Sequence, residues 1–254
     1  MSPSVPITMI NTLVILVVLL TTSCSSVPLP STFKKCNRKQ ADFNQCLTTA
    51  VQDAIHQLDK PHPEVNLPSF EPFVYPVGTV RLGAGPSVVH FRQIAKNVRV
   101  HKLTEFSSLN ASMDFNTNIF RMNIDYPILK FEYDYEIDGK ILVMPIRGKG
   151  LAHIHPKNLS MEITFTLEEK NKHYKVVNST ITYTKMGGLM INHENLFDGN
   201  KELGDKVNAA LNENWKSIFD DLKAGYEKIN AEIFGNVFDK FLDKVSASEL
   251  FGDP

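Results

Sequence analysis

Apolar residues recur at intervals of three and four from Val207 to Phe241, with Leu211, Trp215, Ile218, Leu222, Tyr226, Ile229, Ile233 and Val237 on the stripe between them. The helical pattern runs on to about Val245. It is led in by Asn195-Leu196-Phe197-Asp198-Gly199-Asn200-Lys201, a run of helix-starting punctuation. At ~1.5 Å per residue the segment 207–241 predicts roughly 50 Å of helix if unbroken. So long a stripe must be covered, and only the strand-rich middle of the chain is large enough to cover it.

A shorter helical pattern runs from Gln40 to Leu58, with Phe43, Leu47, Ala50, Val51, Ala54, Ile55 and Leu58 on one face. The prolines of Asp59-Lys60-Pro61-His62-Pro63 end it, and a proline-rich linker follows to Pro76. From Gly78 to His193 the period changes to two. Leu129, Phe131, Tyr133, Tyr135 and Ile137 alternate with Lys130, Glu132, Asp134 and Glu136, which predicts a strand with one dry and one wet face. Asp138-Gly139 is a two-residue hairpin signal that would pair Tyr135 with Leu142, Tyr133 with Met144 and Phe131 with Ile146. A second hairpin turns at residues 168–172, between Met161, Ile163, Phe165, Leu167 and Tyr174, Val176, Ile181, Tyr183. The apolar parity slips between Val176 and Ile181, which predicts a bulge near Val177-Asn178. Further strands are expected around Val88–Phe91, Val98–Val100, Met113–Phe115 and Phe120–Tyr126.

Curling a meander of one-faced antiparallel strands around one long helix hides both apolar surfaces at once. The predicted class is therefore α+β: a long C-terminal helix wrapped in a strongly curved antiparallel sheet, with a short N-terminal helix and room for a cavity.

The ends and the composition set the context. Ile7 to Leu20 is apolar and gives way to Thr21-Thr22-Ser23-Cys24-Ser25-Ser26, which predicts a signal peptide over 1–26 and one mature domain over 27–254. In an exported chain the remaining pair, Cys36 and Cys46, reads as one disulfide. Asn110, Asn158 and Asn178 each head an Asn-x-Ser/Thr sequon, which makes them candidate glycosylation sites. The 27 basic and 28 acidic residues leave a formal charge of −1, so nothing favours nucleic acid or capture by an anionic membrane.

No pattern of catalysis stands out. His153-Ile154-His155 puts two imidazoles on one strand face without further ligands to complete a metal site. No Gly-x-Ser-x-Gly elbow occurs. Gly148-Lys149-Gly150 and Gly83-Ala84-Gly85 are too short to cradle phosphate, and they suit close backbone packing instead. No cofactor and no enzyme activity are expected.

Several runs together resemble the insect takeout and haemolymph juvenile-hormone-binding family. They are Cys36 with Asp42-Phe43-Asn44-Gln45-Cys46, Leu67-Pro68, Pro127-Ile128-Leu129, Tyr133 to Gly139, Gly148-Lys149-Gly150, Asn195 to Lys201, Leu211-Asn212-Glu213-Asn214-Trp215 and Leu250-Phe251. They cover essentially the whole mature chain in the family's order. The resemblance implies a secreted carrier with an elongated apolar tunnel for terpenoid or fatty-acid-like lipids, in a family linked to feeding, circadian output and chemosensation. The chain lacks the second disulfide of the hormone carriers, which points to the takeout branch. Candidate ligand-binding residues are Phe131, Tyr133, Tyr135, Leu142, Met144, Ile146, Trp215 and Phe219, each of which could instead be ordinary core. The expected partner is a lipophilic small molecule, without stable membrane insertion. The competing expectation is an extracellular glycoprotein whose outer surface is read by a receptor, with lipid as structural filler.

Overall fold

A computed structural model describes residues 26–75, 79–82, 89–141 and 143–253. The predicted leader, apart from residue 26, lies outside the described residues, as do Leu142 and Gly83-Ala84-Gly85.

The first helix, α1 (Phe43–His56), passes into a 3-10 turn at Gln57–Asp59. Eight strands then form one antiparallel sheet: β1 (Phe73–Tyr75), β2 (Thr79–Leu82), β3 (Val89–His101), β4 (Ser108–Asp114), β5 (Ile119–Ile128), β6 (Lys130–Ile141), β7 (Met144–Lys170) and β8 (His173–His193). The chain closes with α2 (Lys201–Glu213), α3 (Trp215–Leu242) and α4 (Ala247–Phe251).

The spine is β7. On one side β6 pairs with its first half and β5 with its second, while β8 runs along the other side. At ~3.4 Å per residue its 27 residues would reach roughly 90 Å if flat, far longer than a domain of this size. The sheet is instead strongly curved. The register of β8 slips between the pairs Thr166↔Asn178 and Leu167↔Val176, leaving Val177 as the extra residue where a bulge is expected, and slips again beside Met161.

Two expectations are corrected. The first hairpin does not turn at Asp138-Gly139: β6 continues to Ile141, which pairs with Met144, and Tyr135 faces Gly150, Tyr133 faces Ala152 and Phe131 faces Ile154. Gly139 serves packing rather than turning. Its φ is +152°, and a Cβ there would lie 2.2 Å from the His90 carbonyl oxygen and 2.5 Å from Phe91 Cα. The register moves by an even number of residues, so the same side chains still face inward. The long helix is also not continuous. It breaks at Asn214 (φ −105°, ψ 16°), whose Nδ2 donates to the Ala210 carbonyl at 2.8 Å and so competes with the helical ladder.

Two of the outer strands, β4 and β8, are closed by helix side chains. Along β4, Asn44 Oδ1 accepts from the Met113 N–H (3.2 Å), Thr48 Oγ1 bonds both the N–H and C=O of Ala111 (3.0 Å each), and Gln52 Nε2 donates to the Leu109 carbonyl (2.8 Å). Along β8, Asn208 and Asn212 each bond both backbone groups of His193 and Ile191, and Glu227 and Asp239 accept from the N–H groups of Tyr183 and Val176. The spacing follows from geometry. Four helical residues rise ~6 Å and two strand residues ~6.7 Å, so polar residues at i, i+4 keep step with alternate backbone pairs. An otherwise open edge is thereby satisfied and blocked.

Candidate functional site

Between α3 and the concave face of the sheet lies a cavity of about 390 Å³. Its lining follows α3 from Ile218 to Leu242, roughly 36 Å of helix at ~1.5 Å per residue. The opposite wall is the inward parity of the strands, including Phe91 and Val98 of β3, Phe131 and Tyr133 of β6, and Met161 and Phe165 of β7. α1 closes one end with Leu47, Ala50, Val51, Ala54 and Ile55. It is held there by the Cys36–Cys46 disulfide and by a ring cluster in which Phe251 of α4 touches Phe43, Phe115 and Tyr174.

At the other end the chain leaves β8 and folds back over β7. The two glycines of Gly148-Lys149-Gly150 make this possible. A Cβ at Gly148 would meet Leu196 Cα at 2.9 Å, and one at Gly150 would meet the Glu194 carbonyl oxygen at 2.6 Å. Close backbone packing is thus their role here.

A few uncharged polar groups interrupt the apolar wall. Gln93 Nε2 donates to the Tyr133 hydroxyl at 2.9 Å, and Asn230 Nδ2 donates to the Tyr183 hydroxyl. Burial raises the Tyr133 and Tyr183 hydroxyls to about 12, and it pushes those of Tyr75 and Tyr226 up further, with a smaller push from their neighbouring tyrosines. His193 lies in the wall near the glycine-backed end, and burial lowers its imidazole to about 4. Its ring meets that of Tyr135 edge to face at 4.7 Å.

The structure distributes the candidate residues as follows. Phe131, Tyr133 and Phe219 line the cavity. Tyr135 and Ile146 are buried beside it without lining it, and the Tyr135 hydroxyl donates to the Glu194 carbonyl. Trp215 packs half-buried against the core, and Met144 is half-exposed beside the β6–β7 reversal. The earlier turn expected at Asp138-Gly139 had brought Leu142, Met144 and Ile146 opposite the aromatic residues of β6; the real register puts Gly150, Ala152 and Ile154 there. The sequence reading missed Gln93, His193 and Asn230. For the first two the available signal was a polar residue at an inward parity, between Phe91 and Ala95 and after Leu189 and Ile191. His153, one of the paired histidines, bonds Glu194 at 3.1 Å and faces Glu132 at 3.7 Å. Asn110, Asn158 and Asn178 are all exposed. Among the described residues no helix is long and apolar enough to cross a membrane.

Comparison with known proteins agrees with this geometry. Residues 14–252 match the model of the haemolymph juvenile hormone binding protein (JHBP) family. The circadian clock-controlled protein daywake of Drosophila melanogaster is 23% identical over 236 residues, covering 89% of this chain and 90% of its own length. Daywake of Drosophila yakuba is 24% identical over 238 residues, with the same shares. The crystal structure of Epiphyas postvittana Takeout 1 superposes with a TM-score of 0.71 at 22% identity, over 87% of this chain and all of that one. A sheet curled on a long helix, with a match of this extent, places the chain in the haemolymph juvenile hormone binding protein family, in the fold of takeout.

Proposed function

We propose that this protein is an extracellular carrier that encloses an elongated hydrophobic small molecule, terpenoid or fatty-acid-like, in a tunnel between α3 and the curved sheet. The observation that carries the proposal is the cavity itself, which follows the helix for most of its length behind an apolar wall with few and mostly uncharged polar groups. Phe131, Tyr133 and Phe219 are its proposed ligand contacts among the residues singled out from the sequence. The Cys36–Cys46 disulfide and the exposed sequons support export. The family and the clock-controlled relatives support a carrier role tied to daily physiology.

Enclosing ~300 Å² of apolar ligand surface at ~25 cal/mol per Å² stabilises the complex by roughly 7 kcal/mol before the cost of immobilisation, which suits micromolar to high-nanomolar affinity. The test is binding of the apolar fluorophore N-phenyl-1-naphthylamine to the secreted protein and to Met161→Trp, which places an indole in the cavity wall. Binding by the first, lost in a folded Met161→Trp, is expected. A biological activity that survives in Met161→Trp would favour an outer surface read by a receptor.

A further inference from the structure

His193 is 7% exposed, lines the cavity, and has no hydrogen-bond partner at either ring nitrogen among the described residues. A buried imidazole left in that condition is destabilising, so a partner is expected. Its surroundings hold it still. Asn208 accepts from its backbone N–H and donates to its carbonyl, both at 2.9 Å, while the Tyr135 ring packs edge to face on the imidazole. Its cross-strand neighbour on β7 is Ala152, whose single methyl group cannot cover the ring.

Resting on the carrier reading, we infer that His193 is the polar anchor of the cavity, binding the uncharged hydrogen-bonding end of a lipid, a hydroxyl or carbonyl, while the tail points toward α1. A neutral imidazole offers one N–H donor and one acceptor, which suits either group. An ionised carboxylate has no such place here. Among the described residues the cation of the lining is Lys34, in the segment beside Cys36 at the α1 end, and the groups that touch His193, the Tyr135 ring and the Asn208 amide, are uncharged. Burying an unpaired carboxylate against them would be costly.

The experiment measures displacement of N-phenyl-1-naphthylamine at pH 7.5 by dodecan-1-ol, dodecane and dodecanoate, in the mature protein, His193→Leu and His193→Gln. Dodecan-1-ol should bind the mature protein about five- to tenfold more tightly than dodecane, one hydrogen bond's worth, and about tenfold more tightly than dodecanoate. His193→Leu should still bind the fluorophore but lose the alcohol-over-alkane preference, and His193→Gln should keep most of it. An unchanged preference in His193→Leu, or dodecanoate binding as tightly as the alcohol, overturns the inference while leaving the carrier reading intact. Failure of the mature protein to bind the fluorophore overturns both.

Discussion

Burial holds the His193 imidazole at about 4, against an ordinary 6.5, because the charged form would be stripped of water there. Above pH 6.5 both folded and unfolded chains carry this group neutral. As pH falls from 6.5 to about 4 the unfolded chain takes up a proton that the folded one refuses, so stability is lost across that window, by about 3 kcal/mol at its lower end. Urea unfolding of the protein at pH 7 and pH 4.5 should show the loss, and His193→Gln should show less of it; equal losses in both would remove His193 as the cause. Gly139 offers a second residue-level test. Gly139→Ala drives a methyl into the backbone of β3 and should cost several kcal/mol, whereas Gly188→Ala, whose nearest contact would be Lys157 Cβ at 3.9 Å, should be close to neutral. Thermal unfolding of the two variants distinguishes them.

Periodicity made the elements legible because burial is what periodicity records. The stripe from Val207 to Phe241 and the alternation through Phe131, Tyr133 and Tyr135 each correspond to an inward face. The Val177 bulge was legible for the same reason, since a slipped register leaves a slipped parity. Pairing was less legible. Asp138-Gly139 has the composition of a turn, yet the close approach of β3 demands the same glycine inside a strand. Asn214 breaks the helix through a side-chain bond that the apolar stripe does not register. The edge closures were hidden because Asn44, Thr48 and Gln52 resemble any solvated helix face. Thr48→Val should cost about 1–3 kcal/mol by orphaning both backbone groups of Ala111, measurable by urea unfolding, and more than Thr49→Ala, whose hydroxyl bonds only within its own helix. The disulfide acts on the same element. Cys36→Ser should cost about 2–3 kcal/mol by loosening the chain before α1, and it should speed ligand release through the α1 end while the sheet stays folded. Stopped-flow release of N-phenyl-1-naphthylamine checks this; an unchanged rate would show that α1 does not gate the cavity.

At the scale of the molecule, one cavity organises the rest. The helix and sheet hide one another's apolar faces, helix side chains close the β4 and β8 edges, and two loop-and-glycine contacts back the end where His193 sits. The cavity wall was only partly legible. Its apolar majority follows from parity, but its polar stations, Gln93, Asn230 and His193, come from strands and a helix far apart in sequence and share one wall only when the sheet curls. The most direct test of the carrier account is native mass spectrometry of the protein collected from the medium of secreting insect cells, followed by solvent extraction. The account predicts a mass excess over the protein, with its glycans removed, that extraction abolishes and that reappears in the organic phase as a small lipid. Protein of bare chain mass that also takes up neither dodecan-1-ol nor dodecanoate would contradict it.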